Sequence, residues 1–169
     1  SIVTTAYLTP VALLRISIDS VLHQSLSDIE LVLVIDGQLE PEGEEMVNEF
    51  AEVDERVTVI RPGRVGRGPA LNIGLKAARG DLVGIQDADD ASHVDRLACQ
   101  SALFAADPDL ALLGTRAQVS RSLTARADWK VDADEARVHV LDRELLRSNP
   151  MIHSSMLARA SVLDAVGGY

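Results

Sequence analysis

Three carboxylates, Asp87, Asp89 and Asp90, stand almost side by side directly after the run Leu82, Val83, Gly84 and Ile85. A run of that kind suits the interior of a parallel sheet, and charged groups do not follow it inward unless they are paired or bind a metal. The acids are therefore expected at the strand's carboxyl end. In extended backbone, residues two apart face the same way, so Asp87 and Asp89 would address one ligand while Asp90 points elsewhere or begins a turn. An all-oxygen donor set suits Mg²⁺ or Mn²⁺, hard cations that complete their shells with water and substrate phosphates. Asp is equally common in plain turns and helix caps, so the acids alone leave both readings open.

Other polar groups narrow the choice. Arg61, Arg64 and Arg67 lie in a glycine-rich loop with Gly63, Gly66 and Gly68, inside a chain whose net charge is −10. Such a loop is either a solvated turn or an anion cradle, and Arg67 is the strongest diphosphate candidate because the helix start that follows also favours anions. Asp36 precedes Gly37 and is either a turn-former or an acceptor for a ligand N–H. Tyr7, in a chain only 3% aromatic, is a packing ring or a stacking surface, and His153 is a satisfied core imidazole or a site residue.

The elements that must carry these groups alternate. Ile2 to Thr5 reads as a strand, and Thr9 with Pro10 as N-cap and first helical residue of a helix bearing Leu13, Leu14, Ile16, Ile18, Val21 and Leu22. Leu31 to Ile35 is a second strand, Glu42 to Val53 a helix and Arg56 to Ile60 a third strand. A helix from Pro69 to Arg79, closed by Gly80 as its C′ residue, leads into the acid-tipped strand. Asp95 to Ala106 reads as helix, Asp107 and Pro108 as a break, and Leu110 to Gly114 as strand. Farther on, Ala117 to Val131 has no clean period, Ala133 to Arg147 reads as helix, Ser154 to Leu157 as strand and Ser161 to Val166 as a short helix. Strand and helix in alternation over residues 1–115 imply an α/β fold, a mostly parallel central sheet with helices on both faces. Ligands bind such sheets beyond the carboxyl ends of the strands, where Thr5, Tyr7, Asp36, the arginine loop and Asp87 are expected to converge.

Composition sets outer limits. A chain of 169 residues is long enough for one domain with its own core. Its single cysteine, Cys99, excludes an internal disulfide and is expected to pack inside its helix as a small apolar residue. The acidic balance argues against nonspecific nucleic-acid or anionic-membrane binding, and no run is long enough to span a membrane. Ser1 already stands in an expected strand and Tyr169 follows Gly167 and Gly168, so a fragment truncated at both ends is expected.

Several stretches taken together carry a family resemblance: Thr5, Ala6 and Tyr7, then Ser20 to Gly37, Gly66 to Asp90, Asp95 to Leu97, and Asn149 to Tyr169. In order and spacing the chain resembles the nucleotide-binding half of family 2 glycosyltransferases, which have the GT-A, Rossmann-like fold, and within them the enzymes of bacterial exopolysaccharide and cell-surface glycan assembly. The resemblance implies transfer of a sugar, with inversion, from a UDP, GDP or dTDP sugar to a glycan or lipid-linked acceptor, with Mn²⁺ or Mg²⁺ as cofactor. It places Asp36 on the nucleobase, Tyr7 and Thr5 as its stacking and hydrogen-bonding partners, Asp87 and Asp89 in the DxD motif, Asp89 as the principal metal ligand, and Asp90, Arg67 and His153 at the site. It also implies that residues 1–115 bind the nucleotide, that 116–169 begin the acceptor side, that the catalytic base lies beyond Tyr169, and that the protein works in the cytoplasm, at the inner membrane face in full-length form. The sequence departs from the family where Ile35 replaces a frequent first acid and Leu8 a frequent Asn.

Two rivals remain. A sugar-phosphate nucleotidyltransferase would carry a glycine-rich basic loop right after the first strand, where Tyr7, Leu8 and Thr9 stand instead. A noncatalytic sugar-nucleotide or metal-binding module has the same donor-side residues as an enzyme. A dinucleotide-binding fold is disfavoured because no GxGxxG follows the first strand.

Overall fold

The computed structural model describes residues 1–119 and 151–169. The helix expected at Ala133 to Arg147, and the segment without clean period beyond Val119, lie outside the described residues. Strand β1 (Ile2–Ala6) leads to helix α1 (Val11–Leu22), then β2 (Leu31–Ile35), α2 (Pro41–Val53), β3 (Val57–Ile60), α3 (Arg67–Ala77), β4 (Leu82–Asp87) and α4 (Arg96–Ala106). A short β5 (Leu112–Leu113) follows α4. After it come a 3-10 turn (His153–Ser155), β6 (Leu157–Arg159) and α5 (Ala160–Val166).

The sheet order is β3-β2-β1-β4-β6-β5. The first four strands run parallel, β6 adds antiparallel to β4, and β5 pairs antiparallel with β6 at the edge. Strand parity divides the core. Leu31, Leu33 and Ile35 of β2 face Leu14, Ile18 and Val21 of α1 and Met46 and Val47 of α2. Val32 and Val34 face the other way, with Val3, onto Ala70 and Leu71 of α3. Both sides of β2 are fully buried, which is why its sequence is apolar without alternation. α3 approaches closely through Gly74, where a Cβ would collide with Val3 Cγ1.

Chain direction reverses once. From β1 the chain builds outward to β2 and β3, then α3 carries it back across to β4 on β1's other side. The gap between β1 and β4 is thus the topological switch point, where parallel sheets open a crevice beyond their strand ends.

Several local expectations are corrected. Thr9 is not the N-cap of α1: Pro10, extended at ψ 134°, takes that position, and its carbonyl accepts from Leu13 and Leu14. Gly80 does not close α3, which ends at Ala77 and exits through extended Ala78. Gly80 is small for another reason, since a Cβ there would lie 2.8 Å from the Ser1 nitrogen. β3 begins at Val57 after a turn in which Arg56 N–H donates to Asp54 Oδ1 and Val57 N–H to Asp54 O. The strand expected over Leu110 to Gly114 shrinks to Leu112–Leu113, and that over Ser154 to Leu157 is replaced by the 3-10 turn and β6. Ser155 explains the latter, because its hydroxyl donates to backbone carbonyls and accepts from Thr115 N–H, an alternative to strand pairing. Cys99 is exposed, off the α4 face that buries Arg96, Leu97, Gln100 and Phe104.

Candidate functional site

β1, β2 and β4 end in register. Thr5 is paired with Val34 on one side and Asp87 on the other, and Ala6 with Ile35. Asp36 N–H then donates to Ala6 O at 2.8 Å, carrying the ladder one step past β2. Thr5, Tyr7, Asp36 and Asp87 therefore share one edge of the sheet.

At the β2 end, Asp36 is buried although it follows a strand. Its Oδ1 accepts from Val65 N–H at 2.7 Å and Gly66 N–H at 3.0 Å, and its Oδ2 from Arg64 Nη1. A buried carboxylate needs such partners, and the basic loop folds back to supply them. The Arg64 guanidinium carbon lies 3.8 Å from the Tyr7 ring centroid. Gly37, at φ 120°, packs beneath both, where a Cβ would come within 3.5 Å of Arg64 Cδ and 3.6 Å of Tyr7 Cδ2. The left-handed backbone is what favours glycine there, since a Cβ would meet its neighbours only in ordinary van der Waals contact.

At the β4 end, the loop's other arginine takes over. Gly66, at φ 94°, precedes α3, and Arg67 at the helix start donates from Nη2 to Asp87 Oδ1 at 2.7 Å. The same nitrogen lies 3.3 Å from His153 Nδ1, and His153 Nε2 lies 2.8 Å from Tyr169 Oη. His153, whose Nδ1 stands 3.8 Å from Asp87 Oδ1, and then Arg67 hold the Asp87 carboxyl below its usual range, while burial works the other way. Burial pushes the Tyr169 phenol up. Arg61, by contrast, turns outward to Glu44 and Asn48 and does not join the site.

The acid cluster splits into three situations. β4 ends at Asp87, and Asp90 N–H donates to Asp87 O at 3.1 Å, so Ala88 and Asp89 lie in a turn. The two-residue parity expected to point Asp87 and Asp89 the same way does not operate across that turn. Asp89 is exposed and makes no hydrogen bond or ion pair with the described residues. Asp90 closes the turn through its backbone and, through its charge, favours protonation of Arg96.

Sequence reasoning did not single out four residues that hold this arrangement. Arg64 was one basic residue among three, with nothing to tie it to Asp36. Ser17 sits on the buried face of α1 and donates to Asp87 O at 3.0 Å, fixing the strand end. Asn72 takes Tyr169 N–H on Oδ1 at 2.8 Å and returns Nδ2–H to Tyr169 O at 2.7 Å. Arg96 is buried, with a pKa pushed down to about 10 by burial, and donates to Gln86 Oε1, Ser92 Oγ, Gln100 Oε1, Ile85 O and Met156 O.

Among the described residues, no three or more His, Cys, Asp or Glu side chains form a group set to hold a metal. Asp87 Oδ1 is engaged by Arg67, whereas Asp89 offers an unengaged carboxylate. This donor set fits a hard cation that finishes its shell on a ligand's phosphates, and not a closed all-protein cage.

The family model described as Glycosyl transferase family 2 matches residues 1–160. The O-antigen biosynthesis protein RfbC of Myxococcus xanthus is 33% identical over 175 residues, covering 99% of this chain and 13% of its own length. Among solved structures, the mannosyltransferase PcManGT of Pyrobaculum calidifontis, in complex with GDP-Man and Mn²⁺, superposes with a TM-score of 0.71 at 21% identity, over 99% of this chain and 46% of that one. TarS 1–349 of S. aureus, in complex with UDP-GlcNAc, gives a TM-score of 0.73 at 16% identity, over 98% and 46%. Those two likenesses establish the fold, the GT-A arrangement of sheet and helices. The chain spans about half, or less, of the length of the relatives it matches.

Proposed function

The chain belongs to glycosyl transferase family 2, and on that premise we propose that it forms the donor-binding part of an enzyme that moves a sugar from a nucleoside diphosphate to an acceptor hydroxyl, with inversion. The single observation that carries this reading is the pairing of two unlike sites on one sheet edge: the Tyr7, Asp36 niche at the end of β2, and the Arg67, Asp87, Asp89 group at the end of β4. One is aromatic with a buried acceptor, which suits a nucleobase. The other sets an arginine beside an unengaged carboxylate, which suits a metal-bound diphosphate.

In this assignment Tyr7 stacks on the base, Asp36 accepts its N–H, and Thr5, on β1 between β2 and β4, adds a hydrogen bond to the base. Arg67 neutralises charge that grows on the diphosphate as the glycosyl bond breaks, and the start of α3 adds its partial positive charge. Asp89, with Asp87 beside it, would hold Mn²⁺ or Mg²⁺. Such an ion, when bound, supplies several kcal/mol of charge stabilisation to the leaving diphosphate. His153 orders Arg67 and Asp87 from the far side. Proton removal from the acceptor is assigned to none of the described residues. The likeness to an O-antigen biosynthesis protein supports a role in surface-polysaccharide synthesis, and the proposal adds a glycan or lipid-linked acceptor on the cytoplasmic side. No helix among the described residues is long and apolar enough to cross a membrane.

A melting panel with UDP, GDP, dTDP and CDP, with and without Mn²⁺, tests the donor site. At least one nucleotide should raise the melting temperature, and more so with Mn²⁺. No shift with any of them sinks the proposal. Sugar transfer by the full-length protein separates an enzyme from a module that binds without turnover.

A further inference from the structure

We propose that Arg64 gates the donor site: its guanidinium occupies both the face of Tyr7 and the Asp36 oxygen that a nucleobase would use, so a donor binds only as Arg64 swings out. The inference rests on the donor-site reading above and goes beyond it by naming the group that competes with the base.

Arg64 imitates a base in two respects. Its planar guanidinium lies 3.8 Å from the Tyr7 ring centroid, a stacked cation on an aromatic face. Its Nη1 donates to Asp36 Oδ2, as an imide N–H of uracil or the N–H edge of guanine would. Gly37 lies beside both, since a Cβ built there would come within van der Waals reach of Tyr7 and Arg64. A base cannot stack on that face while the guanidinium is there.

The swing is local. Asp36 Oδ1 keeps the Val65 and Gly66 amides, and Arg61 stays pinned to Glu44 and Asn48, so the loop backbone remains anchored on both sides of Arg64. Only Oδ2 is released, and the incoming base supplies the replacement donor. The Arg64 side chain is half exposed and has solvent to move into. Gly63, at φ 81°, has nothing within 4 Å of where a Cβ would be, so nothing crowds the loop beside it.

A closed gate lowers apparent affinity by the fraction of molecules that are open, and by the same factor for each nucleotide that must displace it. It leaves a ligand without a base unaffected. Titration calorimetry on the wild type, Arg64→Ala and Arg64→Lys, with UDP, GDP, dTDP, CDP and inorganic pyrophosphate in the presence of Mn²⁺, distinguishes these cases. If the gate is closed about nine-tenths of the time, Arg64→Ala should tighten binding of whichever nucleotide the wild type binds by up to about tenfold. Pyrophosphate should bind no tighter, because the variant loses a cation. Arg64→Lys keeps the charge but loses the planar stack, so it should fall between the two and serves if the alanine variant melts early. If the wild type binds nucleotide and both variants bind it equally or more weakly, the gate is wrong and the donor site stands. If neither the wild type nor a variant binds UDP, GDP, dTDP or CDP, the donor reading fails and the gate with it.

Discussion

Arg67, the first residue of α3, donates to Asp87, the last residue of β4, at 2.7 Å. The contact joins the mouth of the basic loop to the strand that delivers the acids. It also sets a competition: a diphosphate drawn to Arg67 must share it with Asp87. Because Arg67 is mostly exposed, the pair itself adds little stability, and its value lies in placing the two side chains.

The Asp87 carboxyl is nonetheless held below its ordinary value of 3.8, first by His153 and then by Arg67, against burial. A carboxyl whose folded pKa is lowered stabilises the fold above its unfolded pKa, and that contribution is lost as pH falls through the folded value. Glu30 and Asp54 are shifted the same way, Glu30 against its own burial by Ser1 and Arg79, and Asp54 by Arg56. Asp87→Asn should therefore flatten the acid limb of stability below about pH 4 without abolishing it. Urea denaturation at stepped pH measures this, and superimposable pH profiles for variant and wild type would refute it.

Asp89→Ala should leave the melting temperature of the free protein within about 1 °C of wild type, since the side chain is exposed and makes no bond to the described residues. It should remove the Mn²⁺-dependent part of any nucleotide-induced shift. A metal-dependent shift that survives in this variant would move the cation elsewhere.

Much of this was legible beforehand because burial writes itself into residue type. Leu31 to Ile35 is buried on both sides and contains nothing but aliphatic residues, so its limits were readable to the residue. The acids of β4 could be placed at a strand end for the same reason. What was not legible depended on contacts between segments distant in sequence. The Arg64 to Asp36 pair spans 28 positions and the Asn72 clamp on Tyr169 spans 97. Periodicity carries no record of either. The turn after Asp87 was missed because three nearby acids look alike in sequence, while a single backbone bond from Asp90 decides which of them leaves the strand.

Arg96 makes a stability prediction independent of any ligand. Its guanidinium satisfies Gln86, Ser92, Gln100 and the carbonyls of Ile85 and Met156 in the interior next to β4. Arg96→Met would fill similar space but leave those buried acceptors without donors. The expected loss is about 2–4 kcal/mol, because orphaned buried groups bear their full desolvation cost. A chemical denaturation midpoint unchanged from wild type would show that the network is not needed to hold β4.

Asp36 distinguishes a structural role from a recognition role at one residue. Its carboxylate is the acceptor for Val65 N–H, Gly66 N–H and Arg64, so Asp36→Ala should cost about 1–3 kcal/mol and release the loop. Amide hydrogen exchange locates the effect: the Val65 and Gly66 amides should lose protection in Asp36→Ala and keep it in Arg64→Ala, which leaves Oδ1 in place. If Asp36 also reads the base, then Asp36→Ala should bring the affinities for UDP, GDP, dTDP and CDP closer together, beyond any uniform loss caused by the loosened loop. Lost protection with unchanged discrimination would leave Asp36 as the organiser of the loop alone, and base selection would then have to lie with Tyr7 and the backbone around it.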